Sequence, residues 1–242
     1  MRQPGPSVPS CDVMLLFDQL SLWLDPTPRE GAWNMALDQA LLELSSGPVL
    51  RVYSWTEPTV TLGYAQNVEK LRPSLPAWPI TRRWTGGGVV FHDGDCTYSV
   101  IVPAVVPWSQ TRPVESYRLI HGALADALVA VGYEGCRLAG PEDVIDLPFC
   151  FEAPAVHDIV RGTVKISGAG QRRSRIGFLH QGSVQRVSPT ADFWRGFASQ
   201  IASNVEDLDL TEAVMERAAL LAADRYSAPS WLTDREDRNP IP

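Results

Sequence analysis

Lysine is nearly absent from this chain: of 21 cationic side chains only Lys70 and Lys165 are lysine, and the rest are arginine. Cysteine is scarce as well. Cys11, Cys96, Cys136 and Cys150 form no CxxC pair and no zinc spacing, which leaves free thiols rather than a metal or disulfide framework. No stretch approaches the roughly 18 apolar residues of a membrane span. The proline-rich start, MRQPGPSVPSCDVMLLFDQL, has an apolar run too short and too late for a signal peptide. There is no GxxxxGK[ST] and no HExxH, and GAGQRR opens like GxGxxG but ends in arginine with no acid at ribose distance. The four histidines, at 92, 121, 157 and 180, are scattered, so no metal site is expected. A net charge of −7 is a poor field for nonspecific nucleic-acid binding. These absences describe a soluble, cytoplasmic protein with no nucleic acid and no membrane among its partners.

What is present suits one sizeable core. The chain has 242 residues and is 45% hydrophobic. Residues 1–12 read as a flexible tail. GAWNMALDQALLELSSG sets Trp33, Leu37, Ala40, Leu41 and Leu44 at helical spacing, and PVESYRLIHGALADALVAVG makes a longer helix stopped by Gly132. VLRVYSW, TVTLGY, ITRRW, GGVVFH and TYSVIVP read as strands, and HDIVRG, TVKISGAGQRR and IGFLHQGSV as a strand meander. Residues 135–157 look irregular. PTADFWRGFASQIASN and TEAVMERAALLAADRY are helices with start signals at Pro189, Asp192, Thr211 and Glu212. The mixture predicts an α+β fold with a mixed or largely antiparallel sheet and packed helices.

Three features carry chemistry. In RRWTGGGVVFHDGDCTYSV, three consecutive glycines remove every Cβ from one wall, so that backbone can lie against a ligand and offer N–H groups. Arg82 and Arg83 precede them, and His92 and Asp93 follow. The same stretch reads equally as a flexible hairpin turn beside a solvated arginine pair. Lys165 follows Cys150 by fifteen positions. Arginine keeps its proton at any working pH, whereas lysine is a compact charge that responds to burial and neighbours. An ammonium near a thiol favours the thiolate, and a lysine can relay a proton in acyl transfer. A GC-rich genome would also leave few lysines. Finally, residues 161–186 hold Arg161, Lys165, Arg172, Arg173, Arg175 and Arg186 with no acid among them, a basic region fit for an acidic partner or an ordinary solvated face.

Five ordered blocks, NMALDQALL, LRVYSWTEPTVTLGYAQN, RRWTGGGVVFHDGDCTYSV, VKISGAGQRR and GFLHQGS, resemble the lipoate/octanoate transferase and lipoate–protein ligase superfamily, which shares its catalytic domain with biotin protein ligases. The resemblance spans roughly residues 30–232, with DRYSAPSWL as its closing element. Cys-Phe before a proline-containing segment, where ligases carry Arg-Asn-Asp, resembles the cysteine-dependent LipM-type octanoyltransferases. That implies a single catalytic domain over residues 13–242 without an accessory domain, and the family's α+β fold. It implies octanoyl-acyl carrier protein as donor, a Cys150 thioester, and a lysine of a lipoyl domain (of a 2-oxoacid dehydrogenase or the glycine cleavage H protein) as acceptor. Lys165 is then the second catalytic residue. Arg82, Arg83, Gly86, Gly87, Gly88, His92, Tyr98, Ser167, Gly168, Gln171, His180 and Gly182 are the implied substrate-binding set. No cofactor is implied; ATP and Mg belong to the alternative, a lipoate–protein ligase, and a lipoyl-domain-to-lipoyl-domain amidotransferase is a further alternative. Gly88 stands where transferases often carry arginine, as in many ligases.

Overall fold

The computed structural model describes residues 15–144 and 153–236. In chain order they form β1 (Phe17–Leu24), α1 (Gly31–Leu44), β2 (Val49–Tyr53), β3 (Thr59–Leu62), α2 (Val68–Leu71), β4 (Ile80–Arg82), β5 (Val90–His92), β6 (Cys96–Pro103), α3 (Pro113–Ala130) and β7 (Cys136–Leu138). Then follow β8 (Ile159–Arg161), β9 (Val164–Ser174), β10 (Gly177–Val184), α4 (Ala191–Ile201), β11 (Ala202–Asp207), α5 (Glu212–Leu221) and α6 (Pro229–Asp234). A large sheet runs β11-β1-β2-β6-β10-β9-β8-β7, and a small one β4-β3-β5. β1 pairs in parallel with both β11 and β2, and the remaining pairs of the large sheet are antiparallel. The α+β expectation with a mixed sheet holds.

Strand alternation sorts the large sheet into two faces. Leu50, Val52, Tyr98, Val100 and Phe178 point to one and pack with Ile120 and Leu124 of α3 and Trp194 and Phe197 of α4. Val49, Tyr53, Ile101 and Leu179 point to the other and pack with α1 and α5. α3 starts with Pro113 at its first helical position, where a missing N–H costs nothing, and stops before Gly132, whose φ is +95°. Thr190 and Thr211 cap α4 and α5 by accepting the N–H of Phe193 and Val214.

Two departures share one cause. The helix expected to run through Asn204 ends at Ile201, and β11 begins at once, because Ala202 and Asn204 pair in parallel with Phe17 and Gln19. β1 itself carries no local strand signal. Its burial does not alternate, so only its long-range pairing defines it. Within the stretch 135–157, expected to be irregular, Cys136–Leu138 forms the edge strand β7. Among the described residues, no helix is long and apolar enough to cross a membrane.

Candidate active site

On the α1 face, the small sheet and strands β9 and β10 enclose a cleft with about 490 Å³ of empty space, its open mouth included. β3 contributes Thr61, β5 His92, the β4–β5 loop Arg83, Gly87 and Gly88, and β9 Lys165. The glycine loop is seated backbone against backbone. A Cβ on Gly63 would strike the Gly87 carbonyl, and one on Gly170 would strike that of Gly86. Gly87 itself has φ +93°, which a side chain would disfavour. The Gly86 N–H donates to the Gln171 carbonyl at 3.3 Å. Arg83 spans the loop from inside, donating to Gly86 O at 3.2 Å and Gly88 O at 2.8 Å. Burial lowers its guanidinium to about 10.

Lys165 owes its aim to an irregularity. Ser167 faces Ile159 across the β8–β9 ladder, but Lys165 faces Val160, so β9 holds one extra residue there, a β-bulge at Ile166. Ile166 and Ser167 both turn away from the cleft, and Lys165 comes to the cleft side, over Gly168. Its Nζ lies 2.8 Å from Asp158 Oδ2 and donates to the Ala153 carbonyl at 3.3 Å. A Cβ on Gly168 would stand 2.6 Å from Lys165 Cε and 2.8 Å from Nζ, so glycine is what leaves room for the ammonium. Asp158 is itself held: Oδ1 accepts the Tyr117 hydroxyl at 3.1 Å and Oδ2 the Ala155 N–H at 2.8 Å.

The floor of the cleft is a buried polar network on α1. Asp38 accepts from Arg51 at 2.8 Å, Gln181 at 2.7 Å, the Tyr53 hydroxyl at 3.2 Å and the Ser99 hydroxyl. Gln181 in turn accepts the Thr85 hydroxyl at 2.8 Å, tying the glycine loop to the helix. Burial disfavours the thiolate at both described cysteines: it pushes Cys96 up to about 11 and also raises Cys136.

Comparison with known proteins agrees with this arrangement. Residues 30–206 match the family described as lipoyl protein ligase A/B catalytic domain. Octanoyltransferase LipM of Bacillus anthracis is 34% identical over 220 residues, covering 84% of this chain and 75% of that protein. The octanoyltransferase LipM of Macrococcus caseolyticus is 30% identical, covering 81% and 83%. The chain belongs to the lipoyl protein ligase A/B catalytic domain family. In fold, this member of the family resembles the bipartite lipoate protein ligase of Thermoplasma acidophilum, with a TM-score of 0.71 at 19% identity over 92% of this chain and 99% of that one. It also resembles a lipoate-protein ligase A solved with ATP, with a TM-score of 0.69 at 20% identity, covering 88% and 98%.

Within this lipoyl ligase-type domain, the side chains expected from the motifs divide between two faces. Arg83, Gly87, Gly88, His92, Lys165, Gly168 and Gly182 line the cleft. Gly86 sits behind it against Gly170. Tyr98, Ser167, Gln171 and His180 do not line it, which corrects the expectation for those four. Tyr98 pairs with Gly182 and Gln171 with His180, so alternation turns all four toward α3. There Gln171 Nε2 lies 3.0 Å from His180 Nδ1, and the Tyr98 hydroxyl 3.3 Å from His180 Nε2. Burial lowers His180 well below the ordinary histidine value. Cys150, the expected nucleophile, lies outside the described residues.

Arg82 is the other correction. Instead of facing a ligand, its guanidinium donates to five backbone carbonyls, those of Gly63, Tyr64, Gln66, Trp231 and Leu232. The Trp231 indole returns a bond to Arg82 O at 3.1 Å. Arg82→Ala is therefore expected to cost about 3 kcal/mol of stability, because it strands buried carbonyls; the urea midpoint measures it. The basic run is also less free than its letters suggest. Arg172 lies 5.2 Å over the Tyr64 ring and 5.0 Å over Trp84, and Arg173 donates to Ser109 O at 2.9 Å and to Ser116 Oγ at 2.6 Å. Arg161, Arg175 and Arg186 remain exposed.

Proposed function

We propose that this protein is an octanoyltransferase of protein lipoylation that carries the acyl group as a thioester on Cys150. The donor is octanoyl-acyl carrier protein and the acceptor a lysine amine of a lipoyl domain. The Cys150 thiolate attacks the donor carbonyl, and the carrier's thiolate leaves. The acceptor amine then attacks the acyl-enzyme, an amide forms, Cys150 leaves as thiolate and the amine gives up a proton. The donor is already activated, and thioester to amide runs downhill, so the transfer calls for no nucleotide; ATP and Mg would enter only in a ligase.

The observation that carries this reading is the bond from Lys165 Nζ to Ala153 O. Ala153 is three residues after Cys150, and three residues of chain reach at most about 11 Å. An ammonium beside the segment that follows Cys150 in sequence would favour its thiolate and steady the oxyanion. The LipM relatives support octanoyl transfer, and the raised thiols of Cys96 and Cys136 leave them poor substitutes as nucleophile.

One experiment tests it. Incubated with octanoyl-acyl carrier protein, the wild type should gain an octanoyl adduct that neutral hydroxylamine removes, seen by intact mass, and Cys150→Ala should gain none. An unmodified wild type with the carrier still acylated rejects the proposal. Lipoyl-adenylate made from ATP and lipoate with equal efficiency by wild type and Cys150→Ala would identify a ligase, the reading that Gly88 favours.

A further inference from the structure

Arg83 reaches the cleft through a chain of hydrogen bonds whose direction is set by proton counting. A guanidinium only donates, so at 2.6 Å from Arg83 Nη1 the Thr61 hydroxyl must accept. Its other partner is His92 Nε2, at 2.8 Å. Asp95 Oδ2, which only accepts, lies 2.8 Å from His92 Nδ1 and takes the proton of the neutral imidazole there, which leaves Nε2 bare to accept the Thr61 hydroxyl. Asp95 Oδ2 also accepts the hydroxyls of Thr97, at 3.1 Å, and Ser183. Thr97 takes the Trp55 indole N–H at 2.8 Å, and the Trp55 ring stacks on the imidazole at 4.0 Å between centroids. These contacts hold the ring at both nitrogens and on one face.

Thr61, His92 and Asp95 are all buried or nearly so. Thr61 pairs with Val90 across β3 and β5, so His92, two residues on, lies diagonally opposite on the same face. Among the described residues, no ion pair involves Arg83. Among the described residues its acceptors are neutral oxygens, two of them loop carbonyls and the third the Thr61 hydroxyl.

We propose that Asp95, His92 and Thr61 form a one-way relay that orients Arg83 across the glycine loop, making Thr61 and His92 positioning residues for acyl-donor binding. The placement of Arg83 as a group at the donor's site rests on the octanoyltransferase reading; the relay itself does not. A free arginine samples many rotamers, and its loop carbonyls at Gly86 and Gly88 follow it. An arginine whose Nη1 is held by a directed hydroxyl presents one geometry, at no ordering cost when the donor arrives.

Two measurements on the full chain test this. In protein labelled with ¹⁵N-histidine, held about two units above the ordinary histidine pKa, the His92 spectrum should show a protonated Nδ1 and a bare Nε2. A proton on Nε2 overturns the relay whatever the enzyme does. In steady-state assays with octanoyl-acyl carrier protein, Thr61→Val should raise KM about ten-fold, the equivalent of one charge-assisted hydrogen bond, with kcat little changed. Thr61→Ser, which keeps the hydroxyl, should restore KM. An unchanged KM in Thr61→Val, or no restoration by Thr61→Ser, overturns the positioning role. Should Thr61→Val fail to fold, a wild-type KM in Thr61→Ser together with the histidine spectrum decides. Loss of the acyl-enzyme in the wild type would count against the transferase reading, while the tautomer seen at His92 would still decide for or against the relay.

Discussion

Lys165→Met is expected to slow acyl transfer by about a hundredfold or more, the scale of a lost acid–base or oxyanion partner. The substitution keeps the length of the side chain and removes three N–H donors and the charge. Its first measurable sign should be at the thiol: the pH at which Cys150 reacts with iodoacetamide should move upward. Lys165→Arg should not rescue. The ammonium stands where a Cβ on residue 168 would be, with Asp158 at 2.8 Å on the other side, a slot sized for a compact charge and not for a guanidinium plane. That steric fit is a physical reason for lysine at this position in a chain rich in arginine. Removing the cation also leaves Asp158, whose side chain is 2% exposed, facing an apolar group. Lys165→Met should therefore lose about 3 kcal/mol of stability. Adding Asp158→Asn should recover most of that stability and none of the rate. Recovery of rate by the double variant would mean that Lys165 only shields a carboxylate and takes no part in the chemistry.

Gly168→Ala is expected to cost at least tenfold in rate and to lower the urea midpoint by no more than Lys165→Met does, because the displaced ammonium leaves Asp158 without its partner. Gly168 has an ordinary backbone conformation, so alanine is not strained there. The atoms that its Cβ would meet are the end of the Lys165 side chain, at 2.6 and 2.8 Å, and Asp158 Oδ1 at 3.2 Å. A flexible chain end can move aside without strain in the backbone, and moving it takes the ammonium off its carboxylate. The contrast is Gly170, where the obstacle is the backbone of Gly86, or Gly182, where it is the Tyr98 ring. Parallel measurement of acyl-enzyme formation and thermal unfolding on Gly168→Ala checks the claim; unchanged kinetics would mean that Lys165 tolerates displacement.

Much of the fold is legible directly from pattern. α1 and α3 show helical spacing, and β9 and β10 show strand runs joined by a turn at residues 175 and 176. β1 and β11 are not legible, because parallel pairing between chain segments nearly two hundred residues apart leaves no local period. The site divides along the same line. Lys165 stands out through its rarity, and Arg83, Gly87, Gly88 and His92 through their clustering. Motif membership draws Tyr98, Ser167, Gln171 and His180 toward the ligand, yet it says nothing about which face a strand residue takes. Asp158, Thr61, Asp95, Asp38 and Gln181 escape a reading of the sequence, since each acts through a partner distant in sequence or on another element. Asp158 has one available signal: an acid seven residues before the lysine, directly ahead of the apolar pair Ile159 and Val160 that enters the sheet.

The additional residue at Ile166 gives this strand a phase. Were the same residues laid out in a regular ladder, with Ile166 taking its turn in the alternation, the nitrogen of residue 165 would share the face of Ser167, the helix-covered underside, while each recognisable block of letters stayed in order. A related chain could then score as a full member of the family and have nothing to offer an incoming acyl group. Surveys that infer activity from motif letters would miss that difference, whereas the pairing of Ile159 with Ser167 and of Val160 with Lys165 reveals it.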